Sequence, residues 1–285
     1  MRLFRLLDPG PFRDPVVCVA FDSWVDAGTA SMTAAEQIAR GAPVVAVADA
    51  DALYDYRSRR PTLEIVDGRP DTLTWPDLTL RRYAGRTRDL LVLSGGEPDY
   101  RWRELATDAV ALARAVGATE WLSIGAIPAA VPHTRPVPLL GTCSAPGLLR
   151  GDVRPGPDGT LRVPAACISI IDHAIARSGI PAVGYYAQIP HYVSGAYPAA
   201  SVALLAAVGR HIGEALPAGD LPDQAAELRI RLDAATAADA TTRDYVERLE
   251  GAADESRLAA GDDLIAEIER FLREQGPGPE GGDPS

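Results

Sequence analysis

Phe21-Asp22-Ser23-Trp24-Val25-Asp26-Ala27-Gly28 joins two stretches of opposite character. Before it, Val16 to Ala20 is a short apolar run; after it, Thr29 to Arg40 is alanine-rich and reads as a helix. Buried strand, polar loop and helix in that order mark the first β–α turn of an α/β domain. Ligands of such domains collect where strands end and helices begin, because free N–H groups and the helix dipole point there. This loop brings Asp22, Asp26 and the indole of Trp24 to that edge.

Working outward, apolar runs of strand length recur at Val44–Ala48, Leu63–Val66, Leu90–Leu93, Trp121–Ile124 and Ala182–Tyr186. Helical stretches are expected at Ala27–Arg40, Arg101–Val116, Ile168–Arg177 and Pro198–Ile212. Such alternation predicts a sheet covered by helices on both faces. Leu63 to Tyr83 reads as two strands joined through Asp67-Gly68-Arg69-Pro70, a hairpin-like insertion. Leu139–Cys143 and Leu161–Val163 flank a Gly/Pro/Asp-rich stretch, Gly151 to Gly159, so a mixed, mostly parallel sheet is expected. After residue 216 the texture changes. Asp223–Leu249 and Asp262–Glu274 read as two amphipathic helices, and Gly276–Ser285 as a disordered tail. The expected division is residues 1–216 for the α/β/α domain, 217–275 for a helical appendage and 276–285 for the tail.

Charge and composition exclude several functions. Residues 1–213 hold 21 acids and 21 arginines, so the net charge of -11 lies wholly in the remainder. An acidic tail repels nucleic acid and anionic lipid. The chain contains no lysine, which rules out a P-loop lysine, a Schiff-base lysine and a lysine base. Cys18, Cys143 and Cys167 are widely spaced, which argues against a disulfide framework or zinc site, and Cys18 is expected to pack in the core. No apolar run approaches the ~20 residues of a membrane span, and Met1 to Arg13 lacks a signal-peptide core. A cytoplasmic protein is expected.

Three further polar loops follow strands. In Ser94-Gly95-Gly96-Glu97-Pro98-Asp99, Gly95 and Gly96 allow close approach of a ligand, while Asp99 is placed to cap the next helix. Neither G-x-G-x-x-G nor a Walker loop is present. Pro128 to Pro136 carries His133 and Arg135, which suit an anion or, equally, a rigid loop at a subunit contact. Gln188 to Pro198 carries His191, Tyr192, Ser194 and Tyr197, but Ser194 lacks the G-x-S-x-G setting of a hydrolase nucleophile. His211 is expected at a helix end, interacting with the dipole. No H-x-x-x-H or H-x-H pair occurs, so no metal is expected. Aromatics alternate with arginines over Tyr54 to Pro61, and Tyr54, Tyr56, Arg57, Arg59 and Arg60 read as an interface.

Taken together, Asp22 to Gly28, Tyr54-Asp55-Tyr56-Arg57 with Arg60-Pro61, Gly95-Gly96-Glu97-Pro98 and Pro190-His191-Tyr192-Val193-Ser194 resemble the proteasome assembly chaperone 2 family, and its actinobacterial branch in particular. The resemblance covers roughly residues 1 to 275. It implies a three-layer α/β/α sandwich of phosphorylase/hydrolase-like topology and symmetric homo-oligomers, with a trimer favoured. It also implies proteasome subunits as partners; from charge, hydropathy and motifs, no cofactor, nucleic-acid or membrane partner is expected. The chain ends Gly281-Gly282-Asp283-Pro284-Ser285, not on the hydrophobic–tyrosine–any ending by which such chaperones engage the α-ring. The interface-like loop at Tyr54–Pro61, the helical appendage and the lack of a complete catalytic set make a non-catalytic, protein-binding function the expectation. The alternative is a hydrolase or phosphorylase-like enzyme, or a sensor, with a small anionic ligand among Asp22, Asp26, Glu97, His133, Arg135 and His191.

Overall fold

The computed structural model describes residues 2–22, 24–151, 153–156 and 159–255. In chain order the elements are β1 (Phe4–Leu6), β2 (Val16–Asp22), a tight helical turn at Ala27–Thr29, α1 (Ala30–Ala39), β3 (Val44–Ala48), α2 (Ala50–Leu53), β4 (Thr62–Val66), β5 (Arg69–Thr74), β6 (Leu78–Ala84), β7 (Asp89–Gly96), α3 (Trp102–Ala115), β8 (Glu120–Ala129), β9 (Leu139–Cys143), β10 (Arg154–Pro155), α4 (Cys167–Arg177), β11 (Ala182–Pro190), α5 (Pro198–Ile212) and α6 (Leu221–Ala238). A further helical stretch covers residues 240–255.

Among the described residues nine strands form one sheet in the order β1-β3-β6-β7-β2-β8-β11-β9-β10. The central four, β7, β2, β8 and β11, run parallel, and antiparallel neighbours flank them. Strand β2 lies between β7 and β8 and is buried along its apolar length, which is why Val16-Val17-Cys18-Val19-Ala20 carries no polar alternation. Its side chains divide between two cores. Val17, Val19 and Phe21 face α3 and α4, while Val16, Cys18 and Ala20 face α1 and α5. Each fully buried Val or Leu contributes about 1.5–3 kcal/mol. The three-layer α/β/α sandwich with a mixed sheet is thus the architecture, with helices beyond α5 appended to it.

Several local expectations are corrected. Leu63 to Tyr83 holds three strands, not two: β4 and β5 turn through Asp67-Gly68 into a separate ribbon, and β6 enters the main sheet beside β7. Leu161–Val163 forms no strand and is exposed; the short β10 pairs with β9 instead. Asp99 does not cap α3. Its carboxylate accepts from the Asp55 N–H at 2.8 Å, and the helix begins after Arg101, whose φ is 60°. His211 is not merely a helix-end residue. It is buried, with Nδ1 2.8 Å from the Tyr185 hydroxyl and Nε2 2.7 Å from Glu120. The stretch Asp223–Leu249 breaks at Asp239, which is extended and caps the next helix by accepting from the Thr242 N–H at 2.7 Å. The readings of Asp262–Glu274 and Gly276–Ser285 lie outside the described residues.

Candidate functional site

The strand connections locate the place where an α/β domain holds a ligand. From β2 the chain passes to α1 on one face of the sheet, and from β7 it passes to α3 on the other. Such a divergence opens a crevice between the two carboxyl ends. Asp22 and Gly96 are register partners at that opening. The Asp22 carboxylate accepts from the Glu97 N–H at 2.9 Å and binds Arg59 Nη1 at 2.6 Å.

Arg59 fills the crevice from the side. Its Nη2 donates to the Glu97 carbonyl at 3.3 Å, and its guanidinium lies 5.8 Å from the centre of the Tyr54 ring. The Tyr54 hydroxyl bonds the carbonyls of Asp77 (3.0 Å) and Gly96 (2.8 Å). A Cβ at Gly96 would crowd this guanidinium, sitting 2.9 Å from Arg59 Nη1 and 3.1 Å from its Cδ. The Glu97 side chain turns away and accepts from the Cys167 N–H at 2.7 Å, holding the start of α4. Gly95 lies against the Asp77 carbonyl, which a Cβ would meet at 2.1 Å. The paired glycines thus accommodate the protein's own chain.

Asp26 is buried and serves α1. One carboxylate oxygen accepts from Ser31 N–H (2.7 Å), Ser31 Oγ (2.7 Å) and Met32 N–H (3.3 Å). Burial raises its pKa, the Ser31 and Met32 bonds pull it back, and the nearby Asp22 charge raises it further. Gly28, at φ 62°, makes the turn before α1, and a Cβ there would lie 2.9 Å from Tyr197 Cβ. Trp24 is 66% exposed. Asp22, Asp26 and Glu97 form no cation-holding group among the described residues.

The histidine loops make a second, separate set that clasps the appended helices. The backbone N–H of His133 donates to the Tyr192 hydroxyl at 2.8 Å, which directs the Tyr192 proton to His133 Nδ1, also at 2.8 Å. His133 Nε2 then donates to Asp233 at 3.2 Å, on α6. Burial lowers the His133 pKa, and the Asp233 charge opposes that shift. Arg135 binds both Asp254 oxygens at 2.9 and 2.7 Å and Glu250 at 3.2 Å. His191 lies 3.1 Å from the Ala129 carbonyl and 3.2 Å from the Tyr245 hydroxyl. The Tyr192 ring packs edge to face against His133, His191 and Tyr245. Ser194 is exposed. No hydrogen bond among the described residues joins His133, Arg135 or His191 to Asp22 or Glu97.

The residues read as an interface are divided too. Tyr54 is buried and Arg59 fills the crevice, whereas Arg57 and Arg60 are exposed. Tyr56 is half-buried, packs edge to face on Trp75 at 4.8 Å and donates to Asp51 at 2.6 Å.

One cluster escaped the sequence reading. Asp172, on α4, accepts from Trp121 Nε1 at 3.0 Å and Ser123 Oγ at 2.5 Å. Burial pushes its pKa up to about 7, against the hydrogen bonds from Ser123, Trp121 and Tyr186. The Tyr186 ring lies over Gly125 and Gly184, whose added Cβ atoms would each meet it at 2.7 Å. A signal existed: Asp172 falls on the same helical stripe as the buried Ile168, Ile171 and Ile175, where a carboxylate is out of place.

Residues 20–236 match the PAC2 family. The chain belongs to that family. It is 30% identical to a Mycobacterium tuberculosis protein of unknown function, with a TM-score of 0.82 and 97% of each chain covered. It is 31% identical to an M. tuberculosis proteasome-assembly chaperone homologue, with a TM-score of 0.74, covering 81% of this chain and 99% of that one. A PAC2 family protein from Streptomyces avermitilis is 35% identical, with a TM-score of 0.72 and coverage of 82% and 100%. No curated protein sequence matches the chain. No described helix is long and apolar enough to cross a membrane.

Proposed function

We propose that this PAC2 protein is a non-catalytic, chaperone-like binding protein that acts in the cytoplasm, associates with copies of itself and engages proteasome subunits. The observation that carries this reading is the filling of the crevice between β2 and β7 by Arg59. The position where a related architecture would seat a ligand is occupied by an arginine bonded to Asp22 and Glu97. Other polar groups of the rim hold helices in place: Asp26 holds α1, Glu97 holds α4, and His133 and Arg135 hold the appended helices. A rim organised in this way supports recognition by outward surfaces. The likeness to a proteasome-assembly chaperone homologue at 31% identity favours proteasome subunits as the first partner to test.

The test is co-elution of the purified full chain with purified proteasome α-subunits on a sizing column. A shared peak that retains both proteins at micromolar concentration is expected. Separate elution at every mixing ratio would remove proteasome binding from the reading.

A further inference from the structure

The β4–β5 ribbon is anomalous for a folded chain. Two strands alone are marginal in water, yet Leu63, Ile65, Val66 and Leu73 all remain substantially exposed. The register places Leu63 opposite Leu73, and Trp75, two residues beyond, continues the same face. Trp75 and Tyr56 form one wall of an open cleft of about 470 Å³. The facing wall is Ala48-Asp49-Ala50-Asp51. Asp49 accepts from the Ala52 N–H and Asp51 from the Tyr56 hydroxyl, and no basic group pairs with either carboxylate among the described residues.

The same chain carries a complement to this surface. Thr160 to Ala165 belongs to no element, and Leu161 and Val163 are 61% and 63% exposed. Pro164 biases Val163 toward the extended form. Successive side chains of an extended segment point to opposite sides, so Leu161 and Val163 face one way and Arg162 the other. A cleft with one apolar, aromatic wall and one acidic wall matches that alternation.

We infer that the ribbon and its cleft dock the Leu161-Arg162-Val163 segment of a second copy of this chain. Leu161 and Val163 pack toward Leu73 and Trp75, and Arg162 pairs with Asp49 and Asp51. Within one chain neither surface covers the other, so the contact lies between copies: reciprocated across a two-fold it makes a dimer, and repeated head to tail it closes a ring where the rotation permits. The inference rests on the self-association proposed above and names the surface that performs it.

Charge exchange tests it. The mass of the full chain is measured by light scattering over a dilution series for wild type, Asp51→Arg, Arg162→Asp and the double variant. Each single change is expected to weaken assembly at least tenfold, and the pair to restore most of it. Leu73→Glu should weaken assembly without lowering the melting temperature of the monomer, separating docking from folding. A wild type that stays monomeric throughout would overturn the self-association reading itself. An assembled wild type insensitive to Asp51→Arg, Arg162→Asp and Leu73→Glu would overturn this surface alone. Singles that weaken assembly with no rescue in the pair would overturn the Arg162 pairing and the docking with it.

Discussion

Strands β2 and β4 look alike in sequence and end in opposite places. Val16-Val17-Cys18-Val19-Ala20 is wholly buried, while every residue of Thr62-Leu63-Glu64-Ile65-Val66 is exposed. The difference lies in partners. Strand β2 has a strand on each side and helices on both faces, whereas β4 has only β5. Apolar composition therefore states a need for cover without saying which molecule supplies it. In β2 the cover is this chain. In β4 it is, by our inference, another copy.

The largest break in this comparison is a cavity in the buried sheet. Leu93, on β7, is fully buried, and Leu93→Ala should cost about 2–5 kcal/mol by urea unfolding. A loss below 1 kcal/mol would mean that the sheet's packing is not as described. Next comes the charge on the α4 face. Asp172 has its pKa raised to about 7, against about 3.9 unfolded, so the folded state holds the proton more tightly. Its contribution is complete below pH ~4, drains as pH rises toward about 7 and leaves a constant penalty above that. Asp172→Asn should abolish this fall and leave the variant more stable than wild type at pH 8. A pH profile parallel to wild type would refute the assignment.

Asp26 sharpens the contrast at the rim. If its role is to hold the start of α1, Asp26→Ala should lower stability by about 1 kcal/mol. Association should be untouched; a change there would return Asp26 to the list of binding residues. Smallest of all is Leu73→Ala in the ribbon. Measured on the dilute monomer, it should change stability by no more than about 0.5 kcal/mol. A loss matching Leu93→Ala would show that the ribbon is covered within its own subunit.

The fold was legible because each central strand is a continuous apolar run and each helix an alanine- or leucine-rich stretch between polar loops. The bounds that the pattern predicts, Val44–Ala48 and Pro198–Ile212, match β3 and α5 to the residue. The candidate site was less legible. Asp22 and Arg59 lie 37 positions apart, and nothing in either neighbourhood announces their 2.6 Å contact. His133, Arg135, His191 and Tyr192 looked like ligand groups because their partners, Asp233, Tyr245, Glu250 and Asp254, lie about a hundred residues or fifty residues downstream, in helices with no distinctive motif. Asp99 was misread for a local reason: the bend through Arg101 delays α3 and frees the carboxylate for Asp55.

By itself the sequence determined the layers, the central strands and the absence of lysine chemistry, because periodicity and residue type are properties of neighbours along the chain. Tertiary structure alone decided that Arg59 enters the crevice, that the histidine loops clasp the appended helices and that one apolar ribbon stays outside the core. Those outcomes depend on hydrogen bonds and burial between distant segments, and their geometry exists only once the sheet has brought the segments together.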